Sequence, residues 1–355
     1  MLEISTFLSR LITTSGLSGY EAPIRKTIEA AWQPLVDELG TSRLGSLQGL
    51  RRGHRADPNS QPPSLLLAAH MDAIGMMATG LSDGFIRITE IGGLDPRVLP
   101  GQQVMVHGRQ DLPGVIVQPA PHLLPDKVRD QTIPMEYLFV DTGLLPQEVE
   151  RLVRVGDLVS FSQPPLKLGD EFLVGHSLDN RASVTALTHC LELLQSRQIT
   201  WDVWAVATTQ EEETLGGALT SAYQLRPAIA VAIDVTFGSS PGSPAHRTFP
   251  LGKGITLGWG ANIHPAVHKM FKSLADRLEI PYQLEAMPRH SGTDAHAMQI
   301  AAEGIPTMVV SIPLRYMHTP VEMVSLKDIQ RAGRMLAEFA ASLDLTSLEK
   351  LNWED

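Results

Sequence analysis

The chain has 355 residues, which is longer than a chain with one hydrophobic core ordinarily is. Its 43% hydrophobic and 19% charged residues are typical of a globular rather than a disordered protein. A formal net charge of −10 disfavours a nucleic-acid partner, and no apolar run reaches the roughly 18 residues that would predict a membrane span. The single cysteine, Cys190, excludes an intramolecular disulfide framework and indicates a reducing, cytoplasmic compartment.

The N-terminal part has the pattern of an α/β unit. Residues 1–16 predict an amphipathic helix rather than a signal peptide. Ser18 and Glu21 predict a capping box ahead of a second helix that ends near Val36. The short apolar run SLLLAAH at 64–70 predicts a strand that is buried on both faces.

From about Met76 to Pro165, short alternating apolar and polar runs are separated by Gly-Gly, Pro-Gly and Gly-Asp turns. This pattern predicts a small β-rich unit of barrel or sandwich character. After Gly169, apolar strands alternate with amphipathic helices, which indicates a mostly parallel sheet with helices on both faces. We therefore predict a discontinuous α/β domain, residues 1–75 and 166–355, with a β-rich domain inserted at 76–165.

Two further segments are predicted to be loops. The stretch from Pro119 to Pro134 is rich in proline and charge and shows no period. A short basic cluster lies among Gly, Pro and Asn residues, so a solvated loop is a better interpretation than a nucleic-acid site. The cluster consists of Arg51, Arg52, His54 and Arg55.

Candidate metal ligands follow four of the predicted strands. SLLLAAH ends in His70, VWAVATTQ runs into Glu211 and Glu212, AIAVAID ends in Asp234, and TMVVSIPLRYMH ends in His318. Sites in an open parallel sheet form outside the carboxyl ends of the strands, so we expect these side chains to meet. Histidine with several carboxylates is a ligand set that suits zinc, cobalt or manganese.

A fifth candidate is Asp179, in GHSLDNR, at the turn before a predicted helix. A carboxylate has two oxygens and can bridge two cations about 3.5–4 Å apart, as two-metal hydrolases require.

These residues lie in segments that resemble the tetrahedral aminopeptidases, a family that includes glutamyl and deblocking aminopeptidases. The matching segments are SGYE (18–21), HMDAIG (70–75), LDNR (178–181), QEE followed by LGGA (210–218), IDVT (233–236), GTDAHA (292–297) and IPLRYMHTPVE (312–322). The resemblance covers nearly the whole chain. It implies a zinc-peptidase-like α/β fold with an inserted barrel or PDZ-like domain.

The resemblance also implies two divalent metal ions per subunit, zinc ahead of cobalt or manganese. His70 and Asp234 would be terminal ligands of one ion, Glu212 and His318 would be terminal ligands of the other, and Asp179 would bridge both.

Two further roles are implied. Glu211 would be the general base that takes a proton from water activated by the cations and later delivers it to the leaving amine. Asp72 would orient the imidazole of His70, as carboxylates behind ligating histidines usually do.

For the whole molecule, the resemblance implies an aminopeptidase that trims short peptides from the N-terminus. It also implies a homo-oligomer, in the form of a tetrahedral dodecamer, with the β-rich domain mediating subunit contacts.

The chain departs from the family pattern in three places. Ala73 stands where an acidic residue is common, Ser42 and Ser46 stand in SRLGSL where D-x-L-G-N-L is usual, and Glu213 and Thr214 replace Val-Gly after QEE. These departures remove no candidate ligand, but they bear on the electrostatics around the metals.

Other candidates have structural interpretations. Asp294 is predicted to be a turn and helix-cap residue. His290 and His296 flank that turn and are predicted to be surface or structural histidines. Cys190 shares the apolar face of a predicted helix, so it is interpreted as a core residue.

Three alternative functions stay open. A metal-dependent deacylase or carboxypeptidase could use the same kind of site but would recognise a substrate carboxylate. A glycan hydrolase of endoglucanase type would need an acid and a nucleophile or base flanking a sugar, without a metal pair. A non-catalytic assembly protein is disfavoured by the intact ligand set and by Glu211.

Overall fold

A mixed sheet lies at the centre of the larger of two units. The computed structural model describes residues 2–54, 62–129 and 131–351. The strands within these ranges are β1 (Glu38–Thr41), β2 (Leu47–Arg51), β3 (Ser64–His70), β4 (Gly75–Ser82), β5 (Phe85–Ile91), β6 (Gln103–His107), β7 (Asp111–Val117), β8 (Phe139–Asp141), β9 (Leu158–Phe161), β10 (Leu166–Leu168), β11 (Phe172–Gly175), β12 (Asp202–Thr208), β13 (Ile229–Phe237), β14 (Ile255–Gly260), β15 (Tyr282–Met287), β16 (Thr307–Arg315) and β17 (Glu322–Ser325).

The helices of the same ranges are α1 (Ile4–Ile12), α2 (Ala22–Trp32), α3 (Asp126–Arg129), α4 (Pro146–Leu152), α5 (Leu178–Leu194), α6 (Glu211–Thr214), α7 (Gly216–Leu225), α8 (Pro265–Leu278), α9 (Asp294–Gln299) and α10 (Leu326–Ser342). Short 3-10 turns lie at Pro96–Val98, Pro121–Leu123, Met135–Tyr137 and Leu345–Lys350. Among the described helices, none is both long and apolar enough to cross a membrane.

In the described part of the chain the large sheet has 11 strands, with β12, β3, β13 and β16 adjacent and parallel in its centre. These strands are nearly continuous apolar runs; in β3, every residue after Ser64 is buried. Helices cover the sheet in two groups, since α1, α5 and α10 pack together while α7 packs on α9. Both faces of the sheet are therefore shielded from water, which is why apolar runs without alternation formed strands here. This confirms the predicted α/β class.

β14 and β15 were not among the predicted strands. β14 pairs antiparallel with β16 and parallel with β15, and it extends the sheet beside the strands that carry the candidate ligands. β15 has an irregular burial pattern, so period alone gave no strong signal for it.

The predicted β-rich insertion is a closed barrel. Among the described residues it has the strand order β4-β5-β8-β7-β6-β9, with antiparallel neighbours and a separate apolar core. The alternating runs fold this way because only one face of each strand points into the barrel. The barrel strands span Gly75 to Phe161, and the domain boundaries at 76 and 165 stay predictions.

Two local expectations about the N-terminal part were wrong. The second helix is α2, which ends at Trp32 instead of near Val36. The capping box is absent because the Glu21 carboxylate accepts hydrogen bonds from the backbone N–H groups of Gly19 and Gln210, at 2.7 and 3.0 Å. Glu21 thus ties this turn to the strand end that precedes Glu211.

Both predicted loops contain regular structure in their described parts. The stretch between Pro119 and Pro134 contains a 3-10 turn and the short helix α3. In the basic cluster, Arg51 is the last residue of β2 and its guanidinium lies 3.0 Å from the Asp37 carboxylate. Arg52 pairs with Glu38, whereas Arg55 lies outside the described residues.

Candidate active site

The ends of the parallel strands bring the candidate ligands together. His70 is the last residue of β3 and is paired in register with Thr208, the last residue of β12. Glu211 and Glu212 begin α6 immediately beyond that strand. Asp234 does not end its strand as expected, because β13 continues to Phe237. The β13–β3 register pairs Ala232 with Ala68, and this places Asp234 level with His70.

One half of the cluster surrounds the His70 ring. Its Nε2 atom lies 3.1 Å from Asp179 Oδ1, 3.8 Å from Glu211 Oε2 and 3.8 Å from Asp234 Oδ1. The other half surrounds His318, three residues beyond β16, whose Nε2 atom lies 3.5 Å from Asp179 Oδ2 and 3.4 Å from Glu212 Oε2. The two oxygens of Asp179 therefore face different histidines.

Asp179 lies at the irregular start of α5. Ser177 has a left-handed backbone with φ of 60°, Asp179 has non-helical dihedral angles, and the Asp179–Asn180 peptide bond is cis. The Asn180 side-chain amide donates to the carbonyl of Ile233, 2.9 Å away, which holds this turn against the strand that carries Asp234.

Asp72 connects His70 to the glutamate pair. Its two carboxylate oxygens accept the backbone N–H groups of Glu211 and Glu212 at 3.1 and 3.2 Å, and His70 Nδ1 lies 3.4 Å from Oδ1. A fully buried carboxylate at the first turn of α6 satisfies N–H groups that a helix start leaves free. Asp72 is thus placed to orient His70, as expected, and also to hold the glutamates.

The tautomers of the two histidines suit metal binding. His70 Nδ1 lies 3.3 Å from the carbonyl oxygen of Asp72, and His318 Nδ1 lies 2.9 Å from that of Gly93. A carbonyl can only accept a hydrogen bond, so each ring carries its proton on Nδ1. Both Nε2 atoms then face the carboxylates, and a cation bound there would take the Nε2 lone pair in place of a proton.

Glu322 had no role in the sequence interpretation, although it is the last residue of the IPLRYMHTPVE segment. It is buried, and its two oxygens accept the backbone N–H groups of Asp179 and His318 at 3.1 and 2.9 Å. Burial raises the pKa of Glu322 to about 8. Its position in a family segment was the available signal, but the partners it joins are 143 and 4 residues away.

Glu213, one of the departures, contacts the segment that orients His318. Its Oε1 atom accepts the Gly92 backbone N–H at 2.7 Å, and the next residue, Gly93, offers its carbonyl to His318 Nδ1. A Cβ on Gly93 would lie only 3.1 Å from the His318 ring, so the absence of a side chain permits this approach.

The prediction that Asp294 caps a helix was wrong. The N-cap of α9 is Thr293, whose hydroxyl accepts the Ala295 N–H. Asp294 is buried beneath the cluster, accepts a hydrogen bond from the Thr208 hydroxyl at 2.5 Å, and has a pKa that burial raises to about 6. His290 and His296 lie in the wall of the same cavity, with ring centroids 5.3 Å apart.

The cluster holds more carboxylates than histidines, and the carboxylates repel one another. Burial, with repulsion from Asp234 and other carboxylates, raises the pKa of Glu211 to about 10 despite the opposing effect of His70. Burial and the Asp179 carboxylate raise the pKa of Glu212 well above its usual range, and burial does the same for Asp234. Burial alone would raise the pKa of Asp179, but hydrogen bonds from His318 and His70 hold it below its usual value.

This donor set fits divalent cations. His70, Asp179 and Glu212 form one group whose ligand atoms lie within 4.8 Å of one another, and His70, Glu211 and Asp234 form another. Glu212 Oε1 is buried and has no hydrogen-bond partner within the described structure. Cations placed among these atoms would neutralise carboxylates that otherwise repel one another. The cluster opens into a cavity of about 530 Å³, so a ligand can reach it.

Comparison with known proteins identifies related sequences and folds. The sequence model of the M42 glutamyl aminopeptidase family matches residues 53–335. The chain is 32% identical over 349 residues to the lysyl aminopeptidase of Pyrococcus furiosus, with 96% of this chain and 98% of that protein covered.

Two solved structures have the same fold over nearly their full length. The TET aminopeptidase of Thaumarchaeota archaeon SCGC AB-539-E09 has a TM-score of 0.92 and 28% identity, with 99% of each chain covered. The TET1 peptidase of Pyrococcus horikoshii, which can assemble into a tetrahedron or a large octahedral shell, has a TM-score of 0.84 and 28% identity, with 96% of this chain and 100% of that chain covered.

Proposed function

Because this chain belongs to the M42 glutamyl aminopeptidase family, it is an aminopeptidase that hydrolyses peptide bonds, and we propose that it removes single residues from the free N-terminus of short peptides. One observation supports the location of this chemistry. Two histidine Nε2 atoms face shared carboxylates at the carboxyl ends of the parallel strands, inside an open cavity.

We assign two divalent cations to this cluster. Asp179 would bridge them, because its oxygens face separate histidines, at 3.1 and 3.5 Å. His70 and Asp234 would complete one site, and Glu212 and His318 would complete the other. Histidine and carboxylate ligands suit zinc, with cobalt and manganese as alternatives.

When bound, the cations supply electrophilic polarisation of the scissile carbonyl and a lowered pKa for water. Glu211 is the general base in this proposal, accepting a proton at Oε2 and later donating it to the leaving amine. Its backbone N–H is held by Asp72, and the carboxylate is mostly buried beside His70. Asp72 therefore acts through position, by aligning the base with the ligand on the neighbouring strand.

The alternative hydrolases fit less well. A carboxypeptidase or deacylase needs a cationic side chain for the substrate carboxylate, yet the described residues that line the cavity include neither Lys nor Arg. A glycan hydrolase needs two carboxylates that flank a sugar, whereas these carboxylates converge on two imidazoles.

A homo-oligomeric, dodecameric assembly is also part of the proposal. Several large apolar side chains on the barrel are exposed, which supports a contact surface there. They are Phe85, Val115, Leu145 and Val155. The proposed compartment is the cytoplasm, and the free, buried Cys190 supports it.

The test compares aminoacyl and peptide substrates with free and N-acetylated termini. We expect hydrolysis of the free substrates alone, its loss on chelation, and its recovery on adding Zn²⁺, Co²⁺ or Mn²⁺. Equal cleavage of blocked peptides, or full activity in metal-free protein, would contradict the proposal.

A further inference from the structure

One carboxylate in the cavity wall lies apart from the metal cluster. Glu285, on β15, accepts a hydrogen bond from the Thr236 hydroxyl at Oε1 and one from the Thr256 hydroxyl at Oε2, both at 2.6 Å. Both donors are buried side chains on other strands of the sheet. The carboxylate is therefore held in a fixed position while it remains accessible from the cavity.

The distance from Glu285 to the proposed metal site matches the length of one long side chain. Thr236 lies two residues beyond Asp234 in β13, so both side chains are on the same face of the strand, roughly 7 Å apart. Glu285 contacts the Thr236 hydroxyl directly. A charged group at the end of a long substrate side chain could reach Glu285 while the substrate's N-terminal end lies beside Asp234.

The charge of Glu285 is not balanced by a neighbouring cation. Among the described residues it makes no ion pair with Lys, Arg or His, and no Lys or Arg lines the cavity. The carboxylates around His70 and His318 differ from Glu285 in this respect, because histidines and the proposed cations face them. Glu285 therefore leaves a local excess of negative charge in the part of the cavity beyond the metals.

We propose that Glu285 selects substrates whose N-terminal residue is lysine or arginine. The inference rests on the proposed aminopeptidase function and names its substrate class. The four-carbon stem of lysine can cross the cavity past Met287 and Phe237, and its ammonium can then meet the Glu285 carboxylate. The same carboxylate repels an acidic side chain, so substrates with N-terminal Glu or Asp are disfavoured.

The test measures kcat/KM of the metal-loaded enzyme for lysyl, norleucyl and glutamyl substrates with one leaving group. Norleucine has the stem of lysine without the ammonium, so this pair isolates the charge. We expect lysine to be preferred over norleucine, and glutamate to be the poorest substrate.

Glu285→Gln keeps the shape and removes the charge. We expect it to lower kcat/KM for lysine by about 10- to 100-fold, as for a lost hydrogen bond to a charged group, and to change the norleucine value less than about 3-fold. Glu303→Gln removes the same charge from an exposed ion pair with Arg226 and should change neither value. An equal loss for lysine and norleucine would show a structural role and overturn the inference.

Wild-type enzyme provides a test that does not depend on folding of a variant. Raising the ionic strength should weaken lysine turnover relative to norleucine, because salt screens the accessible charge pair. A wild type that cleaves norleucine at least as well as lysine overturns the inference but leaves the proposed function intact. A wild type that cleaves none of the three overturns the proposed function itself.

Discussion

At the scale of single residues, adjacent glutamates have different surroundings. Glu211 Oε2 lies 3.8 Å from His70 Nε2, whereas Glu212 Oε2 lies 3.4 Å from His318 Nε2. Both backbone N–H groups bind Asp72, so α6 directs the two side chains to different halves of the cluster. This separation is the basis for assigning proton transfer to one residue and metal binding to the other.

Substitution of each glutamate should separate these roles. We expect Glu211→Gln to keep both metal ions and to lower kcat by about 10²- to 10⁴-fold, because it removes general-base catalysis. Glu212→Gln should instead lower metal content, since an amide is a weaker ligand than a carboxylate. Metal analysis and steady-state kinetics check both variants, and equal metal loss in the two would mean that the roles are misassigned.

The contact from Glu213 to Gly92 predicts an indirect effect on His318. Glu213→Val removes the acceptor of the Gly92 N–H, which should loosen the Gly93 carbonyl and weaken affinity at the site of Glu212 and His318 by about 10-fold. Glu213→Gln keeps a carbonyl acceptor and serves as the control. Chelator competition measures the affinity, and unchanged metal binding in Glu213→Val would remove Glu213 from the support of His318.

At the scale of elements, the turn from β11 into α5 carries a buried ionisable group. His176 packs near Phe161, its Nδ1 atom lies 2.8 Å from the Ser177 hydroxyl, and burial, together with the charge of Arg181, lowers its pKa to about 3. The turn that presents Asp179 therefore depends on a histidine that stays neutral in the folded state.

This burial predicts a pH-dependent stability. The ordinary pKa of a histidine side chain is 6.5, so below that pH the unfolded chain binds a proton that folded His176 does not bind. The contribution of His176 to the free energy of unfolding should therefore be fully present above about pH 6.5 and should be lost as the pH is lowered toward 3. The expected loss is about 2 kcal/mol between about pH 7 and 5.

His176→Gln should lack this contribution. Urea unfolding of both proteins in chelator, at several pH values, isolates the effect from metal release. Parallel stability curves for wild type and variant would contradict the assignment.

At the scale of the whole molecule, the barrel contributes none of the proposed ligands, yet the segment that leaves β5 supports His318 through Gly93. The two units are thus linked at the site. We expect a large homo-oligomer in the metal-loaded protein and partial dissociation after chelation, because ligands on different strands order the loops around them.

Light scattering of metal-loaded and chelated protein checks this expectation. A metal-loaded monomer at micromolar concentration would contradict it. Equal cleavage of folded proteins and short peptides would leave the oligomer in place but contradict the proposed preference for short peptides.

Sequence pattern predicted those features that depend on local order. The central strands and the barrel followed from apolar runs and alternation, and the ligand candidates followed from their position at or beyond the ends of the apolar runs that form β3, β12, β13 and β16. Parallel strands with both faces covered must bring their carboxyl ends to one edge, so the approximate site could be inferred without coordinates.

Tertiary structure decided the partners of polar side chains that are distant in the chain. Glu21 resembled a capping residue but binds Gln210, and Asp294 resembled a cap but lies buried against Thr208. The roles of Glu322, Glu213 and Glu285 likewise depend on contacts with residues far along the chain. Each of these carboxylates accepts hydrogen bonds from the donors that the tertiary fold places beside it, and those donors are not fixed by the neighbouring residues in the sequence.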